Sequence, residues 1–136
     1  MVKDAGLRKE IAVTEKDRAG ILADLSKILA EHGINIEGVA GYAVNNEAKI
    51  MVVTEDDVRA KEALKKAGYK QVSENEVVQV YLINKAGALK ALSAKLASAG
   101  IDLKYAYGTI CSDGCPATMI LATSDNKKAL AVLKQK

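Results

Sequence analysis

The strongest constraint on this chain is that it carries the same segment twice. Asp17-Arg18-Ala19-Gly20-Ile21-Leu22 recurs as Asn84-Lys85-Ala86-Gly87-Ala88-Leu89, so the two glycines lie 67 residues apart (87 − 20). Between Asp17 and Gly41, the residues Ala19, Gly20, Leu22, Leu25, Ser26, Leu29, Ala30, Gly33, Ile34 and Gly41 all recur at plus 67 without a gap. Further on the offset becomes 69: Thr54 meets Thr123, Asp56 meets Asp125, Ala60 meets Ala129 and Leu64 meets Leu133. An internal repeat limits the fold more than any local signal does, because both copies must form the same supersecondary unit. The change of offset places two extra residues in the second copy, around Cys111-Ser112-Asp113-Gly114-Cys115.

Within each copy the apolar spacing alternates between periods. Ile11, Val13 and Glu15 follow strand alternation, and Val78, Val80 and Leu82 follow it again. Ile21, Leu22, Leu25, Ile28 and Leu29 then form a helical stripe ending at Gly33, and Leu89, Leu92 and Leu96 form its counterpart ending at Gly100. Ile34-Asn35-Ile36 opens a second strand that runs to Val44. Asn45-Asn46 suits a hairpin turn, because Asn tolerates positive φ. Lys49 to Glu55 returns, Asp56-Asp57 caps a second helix closing at Gly68, and Tyr69 to Glu76 reads as a fourth strand. The expected fold class is α+β: two ferredoxin-like βαββαβ units with antiparallel sheets and helices on one face. The expected domains are residues 1–76, comprising a loose lead-in and the first repeat, and residues 77–136, the second. Lys136 matches Ala67, so the second repeat lacks its last strand, and the edge this leaves is expected to enter a domain contact or a dimer.

Composition removes several function classes. Net charge is +3, but Lys and Asp/Glu alternate along the helical runs, as on a solvated surface, and form no basic block. The chain has no Phe or Trp, so platforms for stacking bases are scarce. No nucleic-acid partner and no membrane partner are expected. No apolar run approaches the ~20 residues of a membrane span, and the first residues lack the apolar core of a signal peptide, which predicts a cytoplasmic protein.

The repeated turn carries the chemistry. A strand feeding a helix leaves the first helical N–H groups without partners, and these attract a carboxylate. Asp17 and Asn84 stand where a helix N-cap or a ligand contact would stand, and both readings are open from the residues alone. Gly20 and Gly87 are expected in the first helical turn, where glycine costs roughly 1 kcal/mol relative to alanine. A close approach of backbone to a ligand, or to the neighbouring repeat, would explain them.

Asp17-x-x-Gly20-x-Leu22 followed by Gly33-Ile34-Asn35-Ile36 resembles the ACT-domain pattern, and Asn84-x-x-Gly87-x-Leu89 with Gly100-Ile101-Asp102-Leu103 resembles it again. The resemblance implies a tandem ACT protein: a non-enzymatic regulatory module that binds a small molecule, typically an amino acid, between ACT units. It implies ligand contacts from Asp17, Arg18, Ala19, Gly20 and Ile21, from Asn84, Lys85, Ala86, Gly87 and Ala88, and from Asn35 and Asp102 at the second strands. Family members often carry Pro before the glycine, where this chain has Ala19 and Ala86. Asp17 would repel a ligand carboxylate, which makes Asn84 to Ala88 the better turn. A homodimer is expected, reporting to a protein the residues do not name. The alternative is a structural or protein-interaction module whose turn glycines serve packing alone.

No other constellation proposes catalysis or a cofactor. Cys111 and Cys115 flank a three-residue turn and read as structural cysteines, paired or free, because a metal site would need ligands this hairpin lacks. His32 sits at a helix C-terminus, where an imidazolium interacts favourably with the helix dipole. Tyr105 and Tyr107 alternate with Leu103 as strand residues on one face. An acylphosphatase-like enzyme is not supported, because the turn has no matching phosphate cradle.

Overall fold

The computed structural model describes residues 1–109 and 114–135. Among these the element order is β1 (Val2–Lys16), α1 (Ile21–Glu31), β2 (Ile36–Val44), β3 (Glu47–Thr54), α2 (Asp57–Lys66), β4 (Gln71–Leu82), α3 (Ala88–Ser98), β5 (Leu103–Thr109), β6 (Ala117–Thr123) and α4 (Asn126–Lys134). The fold is α+β with antiparallel strand pairing, as expected. The chain divides into two compact units: Lys9–Asn75, the N-terminal unit, and Met1–Arg8 with Glu76–Lys136, the C-terminal unit.

In the N-terminal unit the strand order is β2-β3-β1-β4. Val13 lies opposite Ile50 and Ile11 opposite Val52, so one face of the pleat gathers both pairs. Leu25 and Leu29 of α1 and Ala60 and Leu64 of α2 close over that face to form the core. Asn45 and Asn46 adopt φ of +52° and +64°, the left-handed pair that a two-residue hairpin requires. The carboxylate of Asp56 accepts a hydrogen bond from the Arg59 N–H at 3.1 Å and caps α2. The opposite pleat face of β1 and β3 carries Glu10, Ala12, Met51 and Val53, all buried within the single chain.

The C-terminal unit repeats this plan with the order β1-β4-β6-β5. Val78, Val80, Leu92, Leu96, Leu121 and Leu133 fill its core, and Asp125 caps α4 through the Lys128 N–H at 3.0 Å. The register shift between Ile36 and Gly38 recurs between Leu103 and Tyr105, at the same repeat positions.

The lead-in differs from expectation. Residues 2–8 are strand, not loose chain, and they belong to the C-terminal unit. They take the place that Gln71–Asn75 holds in the N-terminal unit. The Ile83 N–H donates to the Met1 carbonyl at 2.9 Å, the Arg8 guanidinium donates to the Gln79 side-chain oxygen at 2.6 Å, and Ala5 enters the core. The cause is the open edge itself: the backbone groups of β4 beyond Glu76 need partners, and the preceding segment supplies them. The boundary drawn at residue 76 thus placed the lead-in with the wrong repeat.

Candidate functional site

Both strand-to-helix turns close in the same way. Helix α1 starts from Gly20 at φ +86°, ψ 3°, and α3 from Gly87 at φ +90°, ψ −8°, neither with a side-chain hydrogen bond at the cap. An L side chain in this left-handed region is strained by roughly 1–2 kcal/mol. Backbone geometry thus explains the repeated glycine, which sits at the cap and not inside the first helical turn. Asp17 does not cap α1. Its N–H donates to the Asn46 carbonyl at 2.8 Å and ties the turn to the β2–β3 hairpin.

Beside each turn lies a cavity, of 360 Å³ in the N-terminal unit and 440 Å³ in the C-terminal unit. The two are built from the same repeat positions. At the turn Asp17 corresponds to Asn84, and on the helix Ile21 and Leu22 correspond to Ala88 and Leu89. Across the cavity Gly41 and Tyr42 of β2 correspond to Gly108 and Thr109 of β5. Ala48 and Ile50 of β3 correspond to Ala117 and Met119 of β6. Glycine at the strand position keeps the floor low. A β-carbon on Gly108 would lie 2.3 Å from Met119 Sδ and 2.5 Å from the Thr118 carbonyl oxygen, whereas one on Gly41 meets Ile50 at an ordinary 3.6 Å.

The structure gathers some of the expected residues here and not others. Asp17 and Ile21 line one cavity, and Asn84, Lys85 and Ala88 the other. Ala19, Gly20, Ala86 and Gly87 shape the turns without lining the cavities. Arg18 turns away: it bonds Asp24 at 2.8 Å, lies 3.6 Å from Glu15, and borders a separate polar cavity with Tyr69. The Asp24 hydrogen bond raises the Arg18 pKa, and burial followed by the Glu15 charge raises that of Tyr69. Asn35 and Asp102 sit past the far ends of α1 and α3, ~16 Å along the helix from the turns. There their N–H groups donate to Glu55 at 3.2 Å and Ser124 at 3.0 Å. What composition and turn chemistry missed is the late part of β2 and β5. The signal was available, since Gly41 and Gly108 recur at plus 67, and Ala48 and Ala117 at plus 69.

The remaining candidates are quickly placed. His32 is exposed, and its Nδ1 lies 2.8 Å from the Ile28 carbonyl oxygen. Tyr105 and Tyr107 stack on one another, with ring centroids 6.5 Å apart. Cys115 is disulfide-bonded, while Cys111 lies outside the described residues. Among the described residues no cluster of His, Cys, Asp and Glu is arranged to hold a metal ion. No described helix is long and apolar enough to cross a membrane.

A turn of this kind, between a first strand and a first helix with a half-open cavity beside it, fits one family model. Residues 11–68 match the ACT domain. The ACT segment coincides with most of the N-terminal unit. Protein BT0572 from Bacteroides thetaiotaomicron superposes with a TM-score of 0.87 at 23% identity, covering 96% of this chain and 88% of that one. The regulatory subunit of aspartate kinase from Thermus thermophilus, in its ligand-free form, superposes with a TM-score of 0.69 at 17% identity, covering 97% and 95%. At such identities the likeness is one of fold. A search of curated proteins finds no match.

Proposed function

We propose that the chain is a tandem ACT protein, a non-enzymatic regulator that binds an amino acid at the strand-to-helix turn. The observation that carries this reading is the pair of cavities at equivalent repeat positions, each beside an uncapped helix start. Fold likeness to a regulatory subunit of aspartate kinase supports a regulatory role. Asn84 to Ala88 forms the stronger site. The Asn84 amide offers both donors and acceptors, and Lys85 adds a cation for a carboxylate. Asp17 repels a carboxylate and suits an ammonium group. Ligand binding acts by favouring one arrangement of the protein over another, and a protein partner reads the change.

The test is a thermal-shift screen of the whole chain against the twenty amino acids. A ligand at about 100 times its Kd adds about 2.7 kcal/mol, an easily measured shift. Asn84→Asp, an isosteric change at an exposed position, is expected to reduce that shift, because the new carboxylate repels the ligand's own. Gly87→Val is a poor probe, since its φ of +90° strains any side chain whether or not a ligand binds there. If no amino acid moves the melting temperature at millimolar concentration, the interaction-module reading takes over. Val39, Tyr42 and Val44, exposed along β2, favour that reading and also a homodimer through this edge.

A further inference from the structure

The two cavities share one plan but not one chemistry, and the difference specifies a ligand class. Resting on the amino-acid reading above, we infer that the C-terminal cavity takes an α-amino acid with an uncharged aliphatic or thioether side chain. Among the described residues its polar side chains are Asn84 and Lys85 at the turn and Thr109 on the facing strand. The rest of its wall is hydrocarbon and thioether, chiefly Ile83, Ala88, Leu89 and Met119. A zwitterionic head group fits the turn and leaves the side chain against apolar atoms. Among the described residues no carboxylate lines this cavity, so against them a lysine or arginine side chain would lose hydration without gaining a counter-charge. Lys85, the single lining cation among the described residues, is needed at the head group, which leaves an acidic side chain unpaired as well.

Size points the same way. At 440 Å³ the cavity stands at the small end of the roughly 300–1,000 Å³ typical of ligand sites, so it suits one small metabolite. It exceeds its 360 Å³ counterpart, where Ile21 replaces Ala88 and Tyr42 replaces Thr109. The N-terminal cavity also presents Asp17 in place of Asn84. The two repeats are thus unequal sites, and only the second offers an amide and a cation at the turn beside its apolar wall.

Isothermal titration of the whole chain with leucine, methionine, glycine, glutamate and lysine decides the matter. Leucine or methionine is expected to bind at least about tenfold more tightly than the other three. Thr109→Tyr, which imports the N-terminal residue at an exposed strand position, is expected to weaken that binding at least about tenfold. Leu89→Lys, at a helix position 57% exposed, provides a second variant whose fold is secure. Circular dichroism melting checks that each variant is folded. Tighter binding of glutamate or lysine would overturn the ligand class and leave the amino-acid reading standing. Aliphatic binding undiminished by both Thr109→Tyr and Leu89→Lys would place the site elsewhere. Binding of no amino acid would overturn the underlying reading itself.

Discussion

Gly108 shows how one residue can be required for space and not for conformation. Its φ lies outside the left-handed region, yet a β-carbon there would collide with the Thr118 carbonyl oxygen at 2.5 Å. Gly108→Ala is expected to destabilise the protein by about 1–3 kcal/mol, the usual cost of overpacking. Gly41→Ala, at the same repeat position, is expected to stay close to wild type. Urea denaturation of both variants checks the contrast, and equal effects would show that the neighbouring strand yields freely. Gly20 and Gly87 belong to the other class, fixed by φ near +90°. Sequence alone marked all four as repeated glycines. It could not sort them, because steric room depends on the adjacent strand and a cap's φ on how the turn closes.

Each second helix begins from an aspartate whose carboxylate accepts a backbone N–H three residues on, Asp56 for α2 and Asp125 for α4. Asp56→Ala and Asp125→Ala are each expected to cost about 1 kcal/mol, read from denaturant midpoints, because an orphan N–H loses its partner. These caps were legible beforehand, since a short polar residue before an apolar helical stripe is a local signal. The caps of α1 and α3 were not. Asp17 has the right chemistry, but glycine three residues later in the left-handed region lets the chain turn before the helix starts, and the Asp17 N–H goes to Asn46 instead. The second strands meet the turns away from their starts. Asn35 and Asp102 follow the C-termini of their helices, so a helix length separates them from the turns, and β2 and β5 bring their later residues back to the cavities.

Across the whole molecule the decisive segment is the first strand. Residues 2–8 belong to the C-terminal unit and lie beside β4 at the edge of its sheet. Deleting Met1–Arg8 is expected to lower stability by about 2–4 kcal/mol through lost burial of Val2 and Ala5 and lost strand pairing. Hydrogen exchange should locate the loss at Gln79 to Leu82, with α1 and β3 of the N-terminal unit protected as before. Uniform acceleration across both units would refute this assignment. The repeat, the α+β class, the helix stripes and the Asn45-Asn46 hairpin followed from the amino-acid order alone. They rest on local spacing, and local spacing is written into the chain. Which segment lies beside β4 in the C-terminal unit, and which strand residues face each turn, only the tertiary structure decided. Both depend on pairing between residues far apart in the chain, and an unpaired strand edge accepts any segment able to offer it backbone hydrogen bonds.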